Sequence, residues 1–181
     1  MEFEKKNTKI YVLCGKSGNG KTLSSQIIEE YFSKENKKTV SLAYASYLKE
    51  YAKNVLGWDL KEETKPREFL QQLGDKIREE IDEKFLVKRI IDDIKIYSYF
   101  FDVIIVTDAR FIDEIEIIKN EFSDVETIYL YGRENKGLTS SQKSHATEVS
   151  LDGYSNYDYE IDNSKTIEDL KNELEKILKE V

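Results

Sequence analysis

The residues best equipped for chemistry lie in one unbroken stretch, "GKSGNGKT", residues 15–22, close behind the apolar run "IYVL". Three glycines and two lysines in eight residues combine backbone freedom with positive charge. Gly15, Gly20, Lys21 and Thr22 satisfy the spacing G-x-x-x-x-G-K-[ST], a loop that turns successive amides inward onto a phosphate. Lys16, Ser17, Gly18 and Asn19 belong to the same cradle, and the N-terminus of the following helix adds its partial positive charge. Lys21 is expected to reach the outer phosphates of a nucleotide, and Thr22 to help hold Mg²⁺. An ordinary glycine-rich turn is the plain alternative; the strand before and the helix after weigh against it.

A second cluster follows the run "FDVIIVTDARF", where an apolar strand ends in Asp108 and Arg110 comes two residues later. In an open parallel sheet, ligands bind beyond the carboxyl ends of the strands, so Asp108 should face the same crevice as the glycine-rich loop. An acid there can orient Mg²⁺ or its waters, and an arginine can clamp an anion through two parallel hydrogen bonds. The competing reading is a strand-end Asp that caps a helix and an Arg on its surface. A guanine-reading Asn-Lys-x-Asp is missing, because "ENKGL" offers Leu138 where the Asp should stand. ATP is therefore the expected nucleotide.

Further cations could hold a second anion: Lys49, Arg67 and Arg78 after the second strand, and Arg133, Lys136 and Lys143 late in the chain. Taken singly, each is more often a solvated surface cation. His145, the only histidine, suits acid-base work, but transfer onto an existing phosphate needs no general base, which favours a structural role. Gln71 and Gln72 are candidate base readers against a prior for solvated amides on an amphipathic helix.

These residues need a scaffold, and five β-like runs supply one: "KIYVLC", "TVSLAYA", "DVIIVTD", "VETIYLY" and "DYEID". They alternate with helical patterns, the signature of a parallel sheet with helices on both faces. Two or three helices fall between the second and third runs, from Ser46 to Tyr97, more than a simple crossover needs. That excess is room for a substrate. A last helix should start at Thr166, whose hydroxyl can cap the first turn. From Gly132 to about Gly153 no period is visible, and so long an irregular stretch is expected to be a lid or binding loop.

Composition sets outer bounds. A chain of 181 residues without repeats or linkers reads as one domain, large enough to bury a core without staples. The net charge of -8 disfavours nucleic acid or an anionic membrane as partner. No apolar run approaches the ~20 residues of a membrane span. The first residues, "MEFEKKNTK", lack a secretory apolar segment and Cys14 has no partner cysteine, so a cytoplasmic location is the expectation. Oligomeric state is not written in any motif; a homodimer is compatible with this reading.

Taken together, "GKSGNGKT", "YLKEYA", "PREFLQQLGDKIR", "VTDAR", "SHATEVSLDGY" and "YEIDNSKTIEDL" resemble the P-loop nucleoside monophosphate kinase superfamily, most closely its deoxynucleoside monophosphate kinases. Animal-type phosphomevalonate kinases look like relatives and share several of the shorter fragments. The resemblance implies an α/β P-loop NTPase fold, three layers around a five-stranded parallel sheet, using ATP and Mg²⁺ on a small phosphorylated acceptor. By position it implies acceptor contacts from Lys49, Arg67, Arg78 and Arg110 in a segment about 46–97. It also implies a lid at about 132–153 that brings in Arg133, with Lys136 or Lys143, and a place for Asn163 beside the donor adenine. Lys21, Asp108, Arg110 and Arg133 would then serve catalysis, with Thr22 and Asp108 at the metal. The stretch "GRENKGLTSSQKSHATE" departs from the dense arginine repeat of adenylate kinase lids. Rival expectations are a kinase of another phosphorylated metabolite such as phosphomevalonate, and a nucleotide-binding switch that hydrolyses ATP without an acceptor.

Overall fold

The computed structural model describes residues 3–133, 135 and 137–179. Along the chain run β1 (Lys9–Cys14), α1 (Lys21–Lys34), β2 (Thr39–Leu42), α2 (Tyr44–Leu56) and α3 (Arg67–Lys76), which ends in a π-helical turn (Ile77–Ile81). Then come α4 (Phe85–Tyr97), β3 (Val103–Ala109), α5 (Ile112–Glu121), β4 (Val125–Tyr131), α6 (Ser140–Lys143), α7 (Ala146–Val149), β5 (Tyr159–Asp162) and α8 (Ile167–Lys179).

The five strands form one sheet in the order β2-β3-β1-β4-β5, and every neighbouring pair is parallel. Strand side chains alternate between two cores. Tyr11, Leu13, Val103 and Ile105 pack with Ile27, Ile28 and Phe32 of α1 and Leu170, Leu174 and Leu178 of α8. Ile10, Val12, Ile104 and Val106 pack on the other face with Ile90, Ile94, Ile115 and Ile118 of α4 and α5. The result is three layers, helices over both faces of a parallel sheet.

β1 lies at the centre because it is buried on both sides, and its neighbours β3 and β4 lead off in opposite directions across the sheet. That is the switch point where a crevice opens beyond the strand ends. Pairing of β1 with β3 runs Val12 to Val106 and then Cys14 to Ala109, so β3 carries one extra residue there. Such a bulge re-aims side chains at a strand end. It falls at Thr107–Asp108.

The β2 run is shorter than its sequence pattern, since the chain enters α2 already at Tyr44. The stretch from Gly132 to Gly153 is not wholly irregular: it holds the two four-residue helices α6 and α7. Elements that short show no apolar period; Thr139 and His145 cap them by accepting the amides of Gln142 and Thr147 at 3.3 Å each. α8 begins where expected, with Thr166 Oγ1 accepting the Asp169 amide at 3.1 Å.

Candidate functional site

The glycine-rich loop is bent by backbone only glycine takes easily. Gly15 (φ 134°) passes so close to β4 that a Cβ would meet the Leu130 carbonyl oxygen, and Gly20 (φ 93°) leaves no room beside the Asn163 amide. Asn19 and Asn163 are buried behind the loop: Asn163 Nδ2 donates to the Asn19 carbonyl at 3.0 Å, and Asn19 Oδ1 accepts the Arg133 amide at 3.0 Å. Lys21 is buried, and its ammonium curls back onto the loop, donating to the carbonyls of Gly15 at 2.6 Å and Lys16 at 2.8 Å. Burial, then the nearby positive charge of Arg110, pull its pKa down to about 8.

In front of the loop opens a crevice of about 650 Å³. Ser17, Gly18, Gly20, Lys21 and Thr22 form one end, and Asp108 and Arg110 stand beside them at the tip of β3. Lys49 of α2 and Arg67 and Arg78 of the following arm line the rest, together with Gln71. The crevice therefore brings together Lys21, Thr22, Asp108, Arg110, Lys49, Arg67 and Arg78. Gln72 instead donates to Glu68 on the exposed side of α3.

Each arginine of the crevice is met by a carboxylate. Arg78 donates to Glu114 at 2.7 Å while its guanidinium lies 3.7 Å from the centre of the Phe111 ring. Arg67 pairs with Glu62, and Arg110 pairs with Glu148. Glu148, on α7, also accepts the Ser17 amide at 2.9 Å, so a carboxylate rests on an amide of the phosphate cradle. His145 joins the same helix to α3 through Asp75 at 3.0 Å.

Glu62, Lys65, Asp75, Phe111, Glu114 and Glu148 line this crevice without having stood out in the sequence. In a chain with 36 acidic residues a lone Glu carries no mark.

Two residues sit differently from expectation. Arg133 points away from the crevice, its Nε donating to the Asn163 carbonyl at 2.5 Å and its Nη2 to the Lys165 carbonyl at 3.0 Å. The unpaired carbonyls of the turn after β5 claim it. It lines instead a smaller hollow beside the loop, with Lys16, Asn135 and Lys143. Asn163 is 1% exposed and supports the loop from behind, so the side chain does not border open space as an adenine neighbour would. Asp108 accepts the amides of Tyr44 at 2.8 Å and Ala45 at 3.0 Å, capping α2 as well as facing the crevice. Lys136 lies outside the described residues.

Thr22 and Asp108 offer hard oxygen ligands that suit Mg²⁺, an ion held typically by one or two protein oxygens plus phosphates and water. Among the described residues no group of three or more His, Cys, Asp or Glu side chains could hold a metal ion by itself.

Comparison with known proteins fits this geometry. The sequence model for deoxynucleotide monophosphate kinase matches residues 20–174. The chain belongs to that family. It is a kinase of the P-loop type, a phosphotransferase. No curated protein sequence matches it. Solved structures with the same fold include the APS kinase CysC of Mycobacterium tuberculosis in complex with AMPPNP and APS, 12% identical, TM-score 0.59, covering 96% of this chain and 97% of that one. Shikimate kinase from Bacteroides thetaiotaomicron is 15% identical with a TM-score of 0.52, covering 96% and 99%. A protein titled APE1195 is 19% identical with a TM-score of 0.58, covering 99% of both chains. The family model carries the kinase assignment, and the solved structures carry the fold. No helix among the described residues is long and apolar enough to cross a membrane.

Proposed function

We propose that this family member transfers the γ-phosphoryl group of ATP to the phosphate of a deoxynucleoside monophosphate, giving ADP and the deoxynucleoside diphosphate. The observation that carries the reading is one crevice with the phosphate loop and Lys21 at one end and the arginines 78 and 110 facing them from two other elements. Two anions must meet there. Their repulsion, and the negative charge spread over the equatorial oxygens in the transition state, call for positioned cations and not for a nucleophilic side chain.

In the step itself an acceptor phosphate oxygen bonds to the γ-phosphorus as the bond to the bridging oxygen of ADP breaks. No proton has to move if the acceptor phosphate is fully ionised. The loop amides and Lys21 hold the donor, and Arg78 and Arg110 hold the acceptor, with Lys49 and Arg67 further along the arm. Bound Mg²⁺ would supply charge neutralisation across the donor phosphates, held by Thr22 and Asp108. Both oxygens of Asp108 already accept amide protons, an arrangement suited to a fixed anchor and one that supports a phosphate over a hydroxyl acceptor. Residues 132–153 act as the lid, excluding water that would otherwise take the phosphoryl group. Arg133, seated by the smaller hollow, fits the donor side of the site better than the acceptor side.

The test is ADP release in a coupled assay with ATP and a panel of acceptors: dAMP, dCMP, dGMP, dTMP, the ribonucleotides, phosphomevalonate and no acceptor. At least one deoxynucleoside monophosphate should stimulate turnover a hundredfold or more over the blank, and Lys21→Ala should remove that stimulation. Stimulation by phosphomevalonate alone, or ADP release indifferent to every acceptor, refutes the proposal.

A further inference from the structure

The helix α3 and the turn that continues it differ in burial, the turn alone burying a residue, Ile77. α3 buries none of its residues against the body of the protein, yet its continuation, the π-helical turn Ile77–Ile81, delivers Arg78 to the crevice. A π-helical turn inside a helix often marks a functional position. Its guanidinium is held there by a carboxylate and a ring from another part of the chain, Glu114 and Phe111.

Glu114, in the first turn of α5, is 2% exposed and faces the crevice. Its two oxygens do different work. Oε2 accepts the backbone amides of Arg110 at 2.8 Å and Phe111 at 3.2 Å, closing the loop after β3. Oε1 accepts Arg78 Nη2 at 2.7 Å, while the Phe111 ring backs the guanidinium at 3.7 Å. Nε and Nη1 of Arg78 keep no hydrogen-bond partner among the described residues. Glu114 thus holds Nη2, and Nε and Nη1 are left to donate to a ligand. The same carboxylate ties Arg78 to the backbone of Arg110.

We infer that Glu114 is a positioning residue for the reaction, fixing Arg78 relative to Arg110 so that the two grip one acceptor phosphate. The inference rests on the function proposed above. A purely structural Glu114 would need only the Oε2 contacts, which close the loop, and the Oε1 contact would then be incidental.

Glu114→Gln separates the two. If the amide oxygen keeps the Arg110 and Phe111 amides, the NH₂ group must face Arg78, donor against donor, so the loop cap survives and the grip on Arg78 is lost. The experiment is a double-mutant cycle of Glu114→Gln and Arg78→Ala, with steady-state kinetics at pH 8 using ATP and the best of dAMP, dCMP, dGMP and dTMP, and melting curves to verify folding. Glu114→Gln should raise the acceptor KM about tenfold while the ATP KM and kcat stay within about threefold. Arg78→Ala should raise the acceptor KM at least as much, and the double variant no further. An unchanged acceptor KM in Glu114→Gln, an equal loss for both substrates, or multiplying effects in the double variant would overturn the assignment. If the unmodified chain turned over no monophosphate at all, the underlying function would fall and this assignment with it; the two failures are told apart by the unmodified chain alone.

Discussion

Lys21 shows how much a site can say through one ammonium group. It is buried on carbonyls of its own loop, and its depressed pKa of about 8 reflects burial first and the charge of Arg110 second. Phosphates arriving at the loop favour the charged form and raise that pKa in the complex. Linkage then fixes the sign: ATP affinity is fullest below the free-protein pKa and falls as pH rises through about 8. Titrating ATP binding from pH 7 to pH 10 should show that decline, up to about tenfold per pH unit, and Lys21→Met should flatten it. A wild-type affinity constant across this range would remove Lys21 from the phosphate contacts. The loop was legible in the sequence because its chemistry is contiguous: glycines, lysine and hydroxyl sit in eight consecutive residues. Glu114 and Glu148 were not, because their meaning comes from partners 36 and 131 positions away in the chain.

Among the elements, the segment from Gly132 to Gly153 departs most from its sequence pattern. α6 and α7 are single turns without a periodic face, invisible to pattern reading. They are nevertheless tied down, by Glu148 on the Ser17 amide, by Asn135 Nδ2 on Ser17 Oγ at 2.9 Å, and by Lys16 on Asp152 at 2.7 Å. A buried carboxylate on a phosphate-loop amide takes a position that a bound phosphate would contest. Glu148→Gln keeps the shape and removes the charge, so ATP binding by calorimetry should tighten about three- to tenfold. An equal or weaker affinity would mean that Glu148 stays clear of the donor phosphates. The arm from α2 to α4 was foreseen as excess chain between two strands; that α3 ends in a π-helical turn was not, because apolar spacing over five residues does not separate a π-turn from an α-helix.

On the scale of the molecule, an acidic chain of net charge -8 brings six of its 28 lysines and arginines to one crevice and pairs the arginines there with carboxylates. Unpaired, that cluster would repel itself; paired, it waits for anions that replace some of the partners. The five-stranded parallel sheet and the crevice beyond its strand ends followed from five β-like runs and the helical spacing between them, while the strand order did not, because it is set by which strands pair across the sheet. Arg133 and Asn163 could not be oriented in that way, because their places depend on the carbonyls and amides of the turn after β5. The central claim is the destination of the phosphoryl group, and ³¹P NMR of the reaction mixture reads it directly. With ATP, Mg²⁺ and the preferred deoxynucleoside monophosphate, the acceptor's single resonance should give way to the coupled pair of a diphosphate as the ATP signals become those of ADP. Accumulation of inorganic phosphate alone, or of a new phosphomonoester on a hydroxyl, would contradict the account.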